Sequence, residues 1–329
     1  MGRGHVAVGC VSAVRIAVVF PGQGSQTVGM GADAAANFPA ASDIFARAEK
    51  VLGYDLLALQ TEGPDEKLRE TQFSQPAIFA TNVALYAAVG ETLAPVVSAG
   101  HSFGEFCSLV AARAVTFEEA LRVVDERGKA MQAAADLATG GMSAVLGLEA
   151  DRVRVVVEEI RSKNGGRLTL ANFNSPTQIV VSGDLDAVRL AGDAMLAAGA
   201  KRVVPLNVSG AWHSELMEPA VERFAKAVAS AHFVVPQFDV VSNVDAQPYR
   251  DVATIKTNLV RSIVHEVRWH ETALKLLSYE PDLVVEFGAS GVLGPLMKRL
   301  PNAPNVAVVS DAAGVEKLRT TIGEAALRG

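Results

Sequence analysis

Apolar and polar positions follow two rhythms along this chain. Short unbroken apolar runs, Ile16 to Phe20, Val96 to Ala99, Leu283 to Phe287 and Val306 to Val309, have the length and residue types of buried strands. Between them, as over Ala77 to Val89, apolar residues recur at helical spacing. Strands alternating with helices predict a parallel sheet covered on both faces. The middle of the chain changes character. Met142 to Leu146, Leu168 to Asn172, Gln178 to Ser182 and Arg202 to Leu206 read as strands, with a turn at Asn174-Ser175-Pro176. Ala150 to Ile160 and Leu185 to Ala198 read as helices. The order β-α-β-β-α-β is the ferredoxin-like signature. The expected class is α/β, with a parallel-sheet body formed by residues 15–138 and 207–329 and an inserted ferredoxin-like α+β subdomain at 139–206.

Composition narrows the function classes. The chain has 329 residues, of which 50% are hydrophobic and 20% charged, which suits a globular protein with a large core. No apolar run approaches the roughly 18 residues of a membrane helix. The net charge is -6 and Lys and Arg form no block, so nucleic acid is not an expected partner. Two cysteines, Cys10 and Cys107, exclude a disulfide framework and suit a reducing cytoplasm. Arg3 and the apolar stretch Val6 to Val14 have some features of a signal peptide. Arg15 and the first strand follow at once, so residues 1–14 read as a short disordered extension or the product of an upstream start codon.

The chemistry begins at Gly100-His101-Ser102-Phe103-Gly104, a G-x-S-x-G pentapeptide between an expected strand and an expected helix from Glu105 to Ala112. Small residues on both sides permit a sharp turn that lifts the serine Oγ out of the sheet at a helix N-terminus. The free N–H groups there favour negative charge, and the Phe103 N–H can donate to an oxyanion. A strand–turn–helix junction with a capping serine would look similar without being catalytic. Cys107, within the helix, reads as a packed thiol. A serine nucleophile needs a base. Of the six histidines, His101 should point away from Oγ, His5 lies in the ragged N-terminus, and His232, His265 and His270 lie in or beside apolar runs. His213, on the polar loop Ser209 to Ser214 ahead of a helix expected near Glu215, is the preferred base, against a plain loop histidine.

Six segments in order resemble the malonyl-CoA:acyl carrier protein transacylase family, relatives of the acyltransferase domains of fatty-acid and polyketide synthases. They are Phe20 to Gln26, Gly100 to Glu105, Arg127 to Gln132, Asn174 to Gln178, Ser209 to His213 and Val267 to Trp269. The resemblance runs from about residue 16 to 300 and implies a hydrolase-like body with a ferredoxin-like insert. It also implies roles. Ser102 would carry the acyl group and His213 would be its base. Gln23, through its backbone N–H, would join Phe103 in the oxyanion hole. Read alone, Arg127 is a surface arginine on an amphipathic helix; the resemblance makes it the residue that grips the malonyl carboxylate with paired, charge-assisted hydrogen bonds. Met131, one turn on, would line the same pocket, and Asn174 would bind substrate. In related domains a bulky aromatic before the histidine accompanies malonyl preference, so Trp212 implies malonyl over methylmalonyl.

Two segments depart from the family. Where its members carry Gln ahead of Pro-Val-Arg-Trp, this chain reads Ser262-Ile263-Val264-His265-Glu266-Val267-Arg268-Trp269, and Gly288-Ala289-Ser290-Gly291 replaces a Gly-Pro-Gly-Lys segment. A backbone carbonyl survives any side-chain change, so Ser262 is the expected orienter of His213, with Asn243 as another candidate. No acidic residue is placed as a third triad member and no metal ligand is expected. The implied reaction is ping-pong transfer of malonyl from malonyl-CoA to the phosphopantetheine thiol of acyl carrier protein, in fatty-acid or polyketide synthesis, with no cofactor because the CoA thioester is itself a substrate. A monomer is expected. An acidic carrier protein would need a local basic surface, for which Lys201-Arg202 and Lys298-Arg299 are candidates. A serine thioesterase or esterase, an acyltransferase for another acyl-CoA, and a non-catalytic carrier-binding protein are the alternatives.

Overall fold

The computed structural model describes residues 14–90 and 92–328. Most of the expected N-terminal extension, with its signal-peptide-like features and Cys10, lies outside the described residues.

The strands are β1 (Ile16–Phe20), β2 (Pro95–Gly100), β3 (Gly140–Leu146), β4 (Leu168–Ser175), β5 (Gln178–Asp184), β6 (Arg202–Pro205), β7 (Asp239–Val241), β8 (Leu283–Phe287) and β9 (Asn305–Val309). Two sheets result, in the orders β7-β2-β1-β8-β9 and β4-β5-β3-β6. The first is parallel throughout. Its central strand β1 is buried on both faces: Val18 and Phe20 pack into one core, Ala17 and Val19 into another that holds Trp269. That two-sided burial is why β1 reads as a solid apolar run. The second sheet is antiparallel, its helices Ala150–Asn164 and Leu185–Ala197 enclose a separate core around Val145, Ile179, Val181 and Met195, and its strand order is that of a ferredoxin-like unit.

Details differ from the sequence reading. The helix over Ala77 to Val89 begins earlier, at Thr71, and continues through Pro76. Strand β4 runs to Ser175, which moves the turn to Pro176-Thr177. The helix expected near Glu215 is first a 3-10 turn, Glu215–Met217, and then an α-helix, Glu218–Ser230, with Pro219 in its first turn. Three-residue β7 is too short to carry a pattern of its own.

The two sheets are joined by backbone. Phe173 donates to the Val267 carbonyl at 2.9 Å and Val267 to Ala171 at 2.8 Å, so the segment after Ser262 pairs with β4 as a short parallel neighbour. Glu266 pairs with Arg154 of the insert at 3.3 Å. No helix among the described residues is long and apolar enough to cross a membrane.

Candidate active site

The C-terminal ends of β1, β2, β7 and β8 converge on one edge of the parallel sheet, where open α/β sheets hold their ligands. Phe20 and Gly100 are register partners, so the loops after β1 and β2 leave side by side, and His101 N–H donates to the Phe20 carbonyl at 2.9 Å. The elbow needs its glycines. A Cβ on Gly100 would sit 1.9 Å from the Gly104 carbonyl carbon, and one on Gly104 would sit 2.4 Å from the Phe20 carbonyl oxygen. Ser102 takes φ 54°, in the left-handed region that non-glycine residues seldom occupy. The helix Gly104–Ala111 starts directly behind it, with Phe103 as its N-cap residue.

Ser102 Oγ lies 2.9 Å from His213 Nε2, and His213 Nδ1 lies 2.7 Å from the carbonyl oxygen of Ser262. A carbonyl only accepts, so Nδ1 carries the proton and Nε2 presents its lone pair to the serine. Ser262 caps the helix Val252–Arg261, so its carbonyl is one of the oxygens a helix end leaves without an internal partner. The Ser262 hydroxyl bonds back to Leu259 at 2.7 Å and takes no part. His213, like Ser102, has a positive φ, 59°. Burial and the nearby Arg127 charge push the His213 imidazole down to about 3, against the pull of the Ser262 carbonyl. The ring is therefore the neutral, proton-accepting form throughout the neutral range.

Arg127 is 1% exposed, a core position and not the surface site its helix pattern suggests. Nη2 donates to Ser102 Oγ at 3.2 Å and Nη1 to Gln75 Oε1 at 2.8 Å, while Nε has no partner among the described residues. The same set offers it no carboxylate at ion-pair distance. Burial pulls its guanidinium down to about 9, opposed by the more distant charge of Glu105. The faces of Phe103 and Phe224 each lie 6.0 Å from its Cζ.

A polar chain extends from this arginine. Gln75 Nε2 donates to Thr71 Oγ1 at 2.9 Å and faces Met131 Sδ at 3.5 Å, and Thr71 Oγ1 donates to Gln23 Oε1 at 3.0 Å. Met131 therefore does lie beside the Arg127 cluster. Thr71 and Gln75 were missed in the sequence, although two polar residues four apart, and so on one face of a helix rich in apolar residues, are a signal that could have found them. Gly22, next to Gln23, packs against the elbow so closely that a Cβ would meet the His101 carbonyl at 2.6 Å.

The remaining candidates fall into place differently. Asn174 Oδ1 bonds His101 Nε2 at 3.0 Å, which anchors that ring and ties β4 to the elbow. Trp212 is buried, with its indole against Gly210. Cys107 is fully buried, and burial pushes its thiol up, as expected of an inert packing residue. Asn243 does not orient the histidine. Its side chain bonds Ser102 N–H, the Gly100 carbonyl and Glu105, because β7 ends beside β2 and delivers it to the elbow backbone. Lys201, Arg202, Lys298 and Arg299 are all exposed.

The sequence profile of the acyl transferase domain family matches residues 17–309. The chain is 40% identical over 308 residues to the malonyl CoA-acyl carrier protein transacylase of Salmonella typhimurium, covering 93% of this chain and 99% of that one. It is 37% identical over 311 residues to the Bacillus subtilis protein of the same name, covering 94% and 98%. Among solved structures, the malonyl CoA-acyl carrier protein transacylase of Coxiella burnetii superposes with a TM-score of 0.90 at 34% identity, over 95% of this chain and 99% of that one. A malonyl-transacylase solved in complex with its type II PKS acyl-carrier protein gives 0.89 at 41% identity, over 93% and 99%.

The depressed His213 imidazole leads to a direct check. In an NMR titration its ring signals should show no inflection between pH 8 and pH 5, since a group pushed down to about 3 stays unprotonated across that window. Protonation near the ordinary histidine value of about 6.5 would contradict the burial and Arg127 argument.

Proposed function

We propose that this chain, which belongs to the malonyl-CoA:acyl carrier protein transacylase family of acyl transferases, moves a malonyl group from malonyl-CoA to the phosphopantetheine thiol of acyl carrier protein through a malonyl ester on Ser102. The observation that carries the reading is Arg127, buried, uncompensated and one hydrogen bond from Ser102 Oγ. Leaving one member of a buried ion pair alone typically costs about 3–5 kcal/mol. A malonyl carboxylate supplies the missing partner, and an acetyl or long acyl chain does not.

The steps follow from the geometry. Malonyl-CoA places its carboxylate on Arg127 and its thioester carbonyl at Ser102. His213 Nε2 takes the hydroxyl proton as Oγ attacks, and the imidazolium is stabilised through Nδ1 by the Ser262 carbonyl. The N–H groups of Phe103 and Gln23 receive the tetrahedral oxyanion; one such donor is typically worth about 10²–10³ in rate. The oxyanion collapses, the CoA sulfur leaves with the proton from His213, and Ser102 holds a malonyl ester. The carrier thiol then enters, gives its proton to His213 and reverses the sequence. The carboxylate also neutralises the Arg127 charge that adds to burial in holding His213 down, so substrate binding relieves part of that depression and makes the base stronger. CoA enters as substrate and no cofactor takes part. The bond of Asn174 to His101, next to Ser102, supports a substrate-binding role for Asn174. We place the enzyme in the cytoplasm as a monomer supplying fatty-acid or polyketide synthesis.

Three outcomes are expected. Intact mass after brief exposure to malonyl-CoA should show one malonyl adduct, absent in Ser102→Ala and reduced in Arg127→Ala; no adduct on the native protein would overturn the reading, and rapid release of free malonate without a thiol acceptor would mark a thioesterase. Trp212→Ser should narrow the preference for malonyl over methylmalonyl-CoA, which a single methyl group limits to about 10–200-fold; an unchanged ratio of the two rates would remove Trp212 as a selectivity element. Reversing the charge of Lys201 and Arg202 together should raise the KM for the carrier protein and leave that for malonyl-CoA alone, and an unchanged carrier KM would exclude this patch.

A further inference from the structure

The strained backbone at Ser102 has a dedicated support besides its contact with His213. Pairing between β2 and β7 ends at Ala99 and Val241. Two residues beyond, the Asn243 side chain takes over. Its Oδ1 accepts the Ser102 N–H at 2.8 Å and its Nδ2 donates to the Gly100 carbonyl at 2.6 Å. A neighbouring strand makes this same pair of bonds to alternate groups along a backbone, so the side-chain amide continues the sheet ladder across the elbow where main chain can no longer follow.

The amide can sit only one way round. The Gly100 carbonyl accepts and does not donate, and the Ser102 N–H donates and does not accept. The second Nδ2 hydrogen goes to Glu105 Oε2 at 2.7 Å, and Glu105 also receives the Asn243 backbone N–H at 3.2 Å and the Tyr249 hydroxyl on Oε1. Every contact to this carboxylate is a donor, the pattern that suits its ionised form. Burial pushes its carboxyl up to about 7, opposed by the hydrogen bonds from Tyr249 and Asn243. Asn243 and Glu105 are 1% and 2% exposed, and Tyr249 is also buried. The Asn243 carbonyl accepts from Arg268 N–H at 3.0 Å, which fastens the clamp to the segment that follows Ser262.

We infer that Asn243 is a positioning residue for the nucleophile, holding Ser102 in its left-handed conformation with Oγ on His213, and that Glu105 and Tyr249 keep the Asn243 amide in the one orientation that can do so. Without the clamp the left-handed residue relaxes toward ordinary backbone and Oγ swings off Nε2. Arg127, Gln23 and the surfaces that take the substrate stay in place. The inference rests on Ser102 being the acylated residue.

The test uses the full chain with Asn243→Ala, which removes the clamp, and Asn243→Asp, which keeps its shape but turns an oxygen toward the Gly100 carbonyl and Glu105. Native protein and variants are compared in melting temperature, in kcat and KM for malonyl-CoA, and in the rate at which a small neutral sulfonyl fluoride labels Ser102. Displacing a reacting atom by about 1 Å costs about 10²-fold, so kcat and the labelling rate should fall together by about that factor while KM stays within about twofold. A kcat within about threefold of native, or a changed KM with an unchanged labelling rate, would overturn the clamp. If neither variant folds, Tyr249→Phe decides. It removes one hydroxyl two links from Ser102 and should slow labelling by roughly 3–10-fold, a fraction of the worth of one charge-assisted hydrogen bond; native labelling in that variant would overturn the inference. Failure of the native protein to label or to take up malonyl would instead overturn the reading of Ser102 itself.

Discussion

A guanidinium shut away from water without an anion is the constraint around which this molecule is arranged. Arg127 is held by one amide oxygen and one hydroxyl, with aromatic faces on two sides. Neither partner carries charge, so the cation keeps an unmet demand that its surroundings cannot satisfy. The demand reaches outward in two directions. Through Ser102 it bears on the nucleophile and on the proton affinity of His213. Through Gln75 and Thr71 it reaches Gln23 on the loop proposed to hold the oxyanion. In the proposed reaction, recognition of the acyl group and activation of the serine share one charge, and an acyl group lacking a carboxylate is disfavoured on both counts.

Backbone strain supplies the second constraint. Ser102 and His213 both sit at positive φ, so the two halves of the nucleophile–base pair are each held in conformations a free chain would leave. The supports are unlike. The elbow is fixed by close-packed glycines and a side-chain amide, the histidine by a helix-end carbonyl that no side-chain substitution can remove. The chemistry at residue 262 therefore belongs to the main chain.

The parallel sheet, the inserted antiparallel sheet and the pairing of Ser102 with His213 were all legible in the sequence, because solid apolar runs, helical spacing and a glycine-flanked serine are local patterns. Arg127 was legible only through resemblance. Its helix is amphipathic and has charged neighbours, and nothing local says that this one arginine faces inward. Asn243 was picked out but given the wrong partner, since which side of the elbow it reaches depends on three-residue β7 lying next to β2, a long-range pairing that no local period encodes. Gln75, Thr71, Glu105 and Tyr249 escaped for the same reason. Buried polar residues gain their meaning from whatever lies opposite them.

The insert has its own core and its own sheet, which makes it look like a detachable cartridge. Its bonding says otherwise. The edge of β4 is completed by the Val267 segment, Arg154 reaches Glu266, Arg161 reaches Glu215, and Asn174 rests on His101. Each of these contacts lands within a few residues of Ser102, His213 or Ser262. Grafting a homologous insert at its two chain crossings alone would leave an open strand edge and a histidine with a misplaced support. In recombination or engineering, the heritable unit is the insert together with the Ser262 to Arg268 strip, two stretches far apart in the gene that have to travel as one.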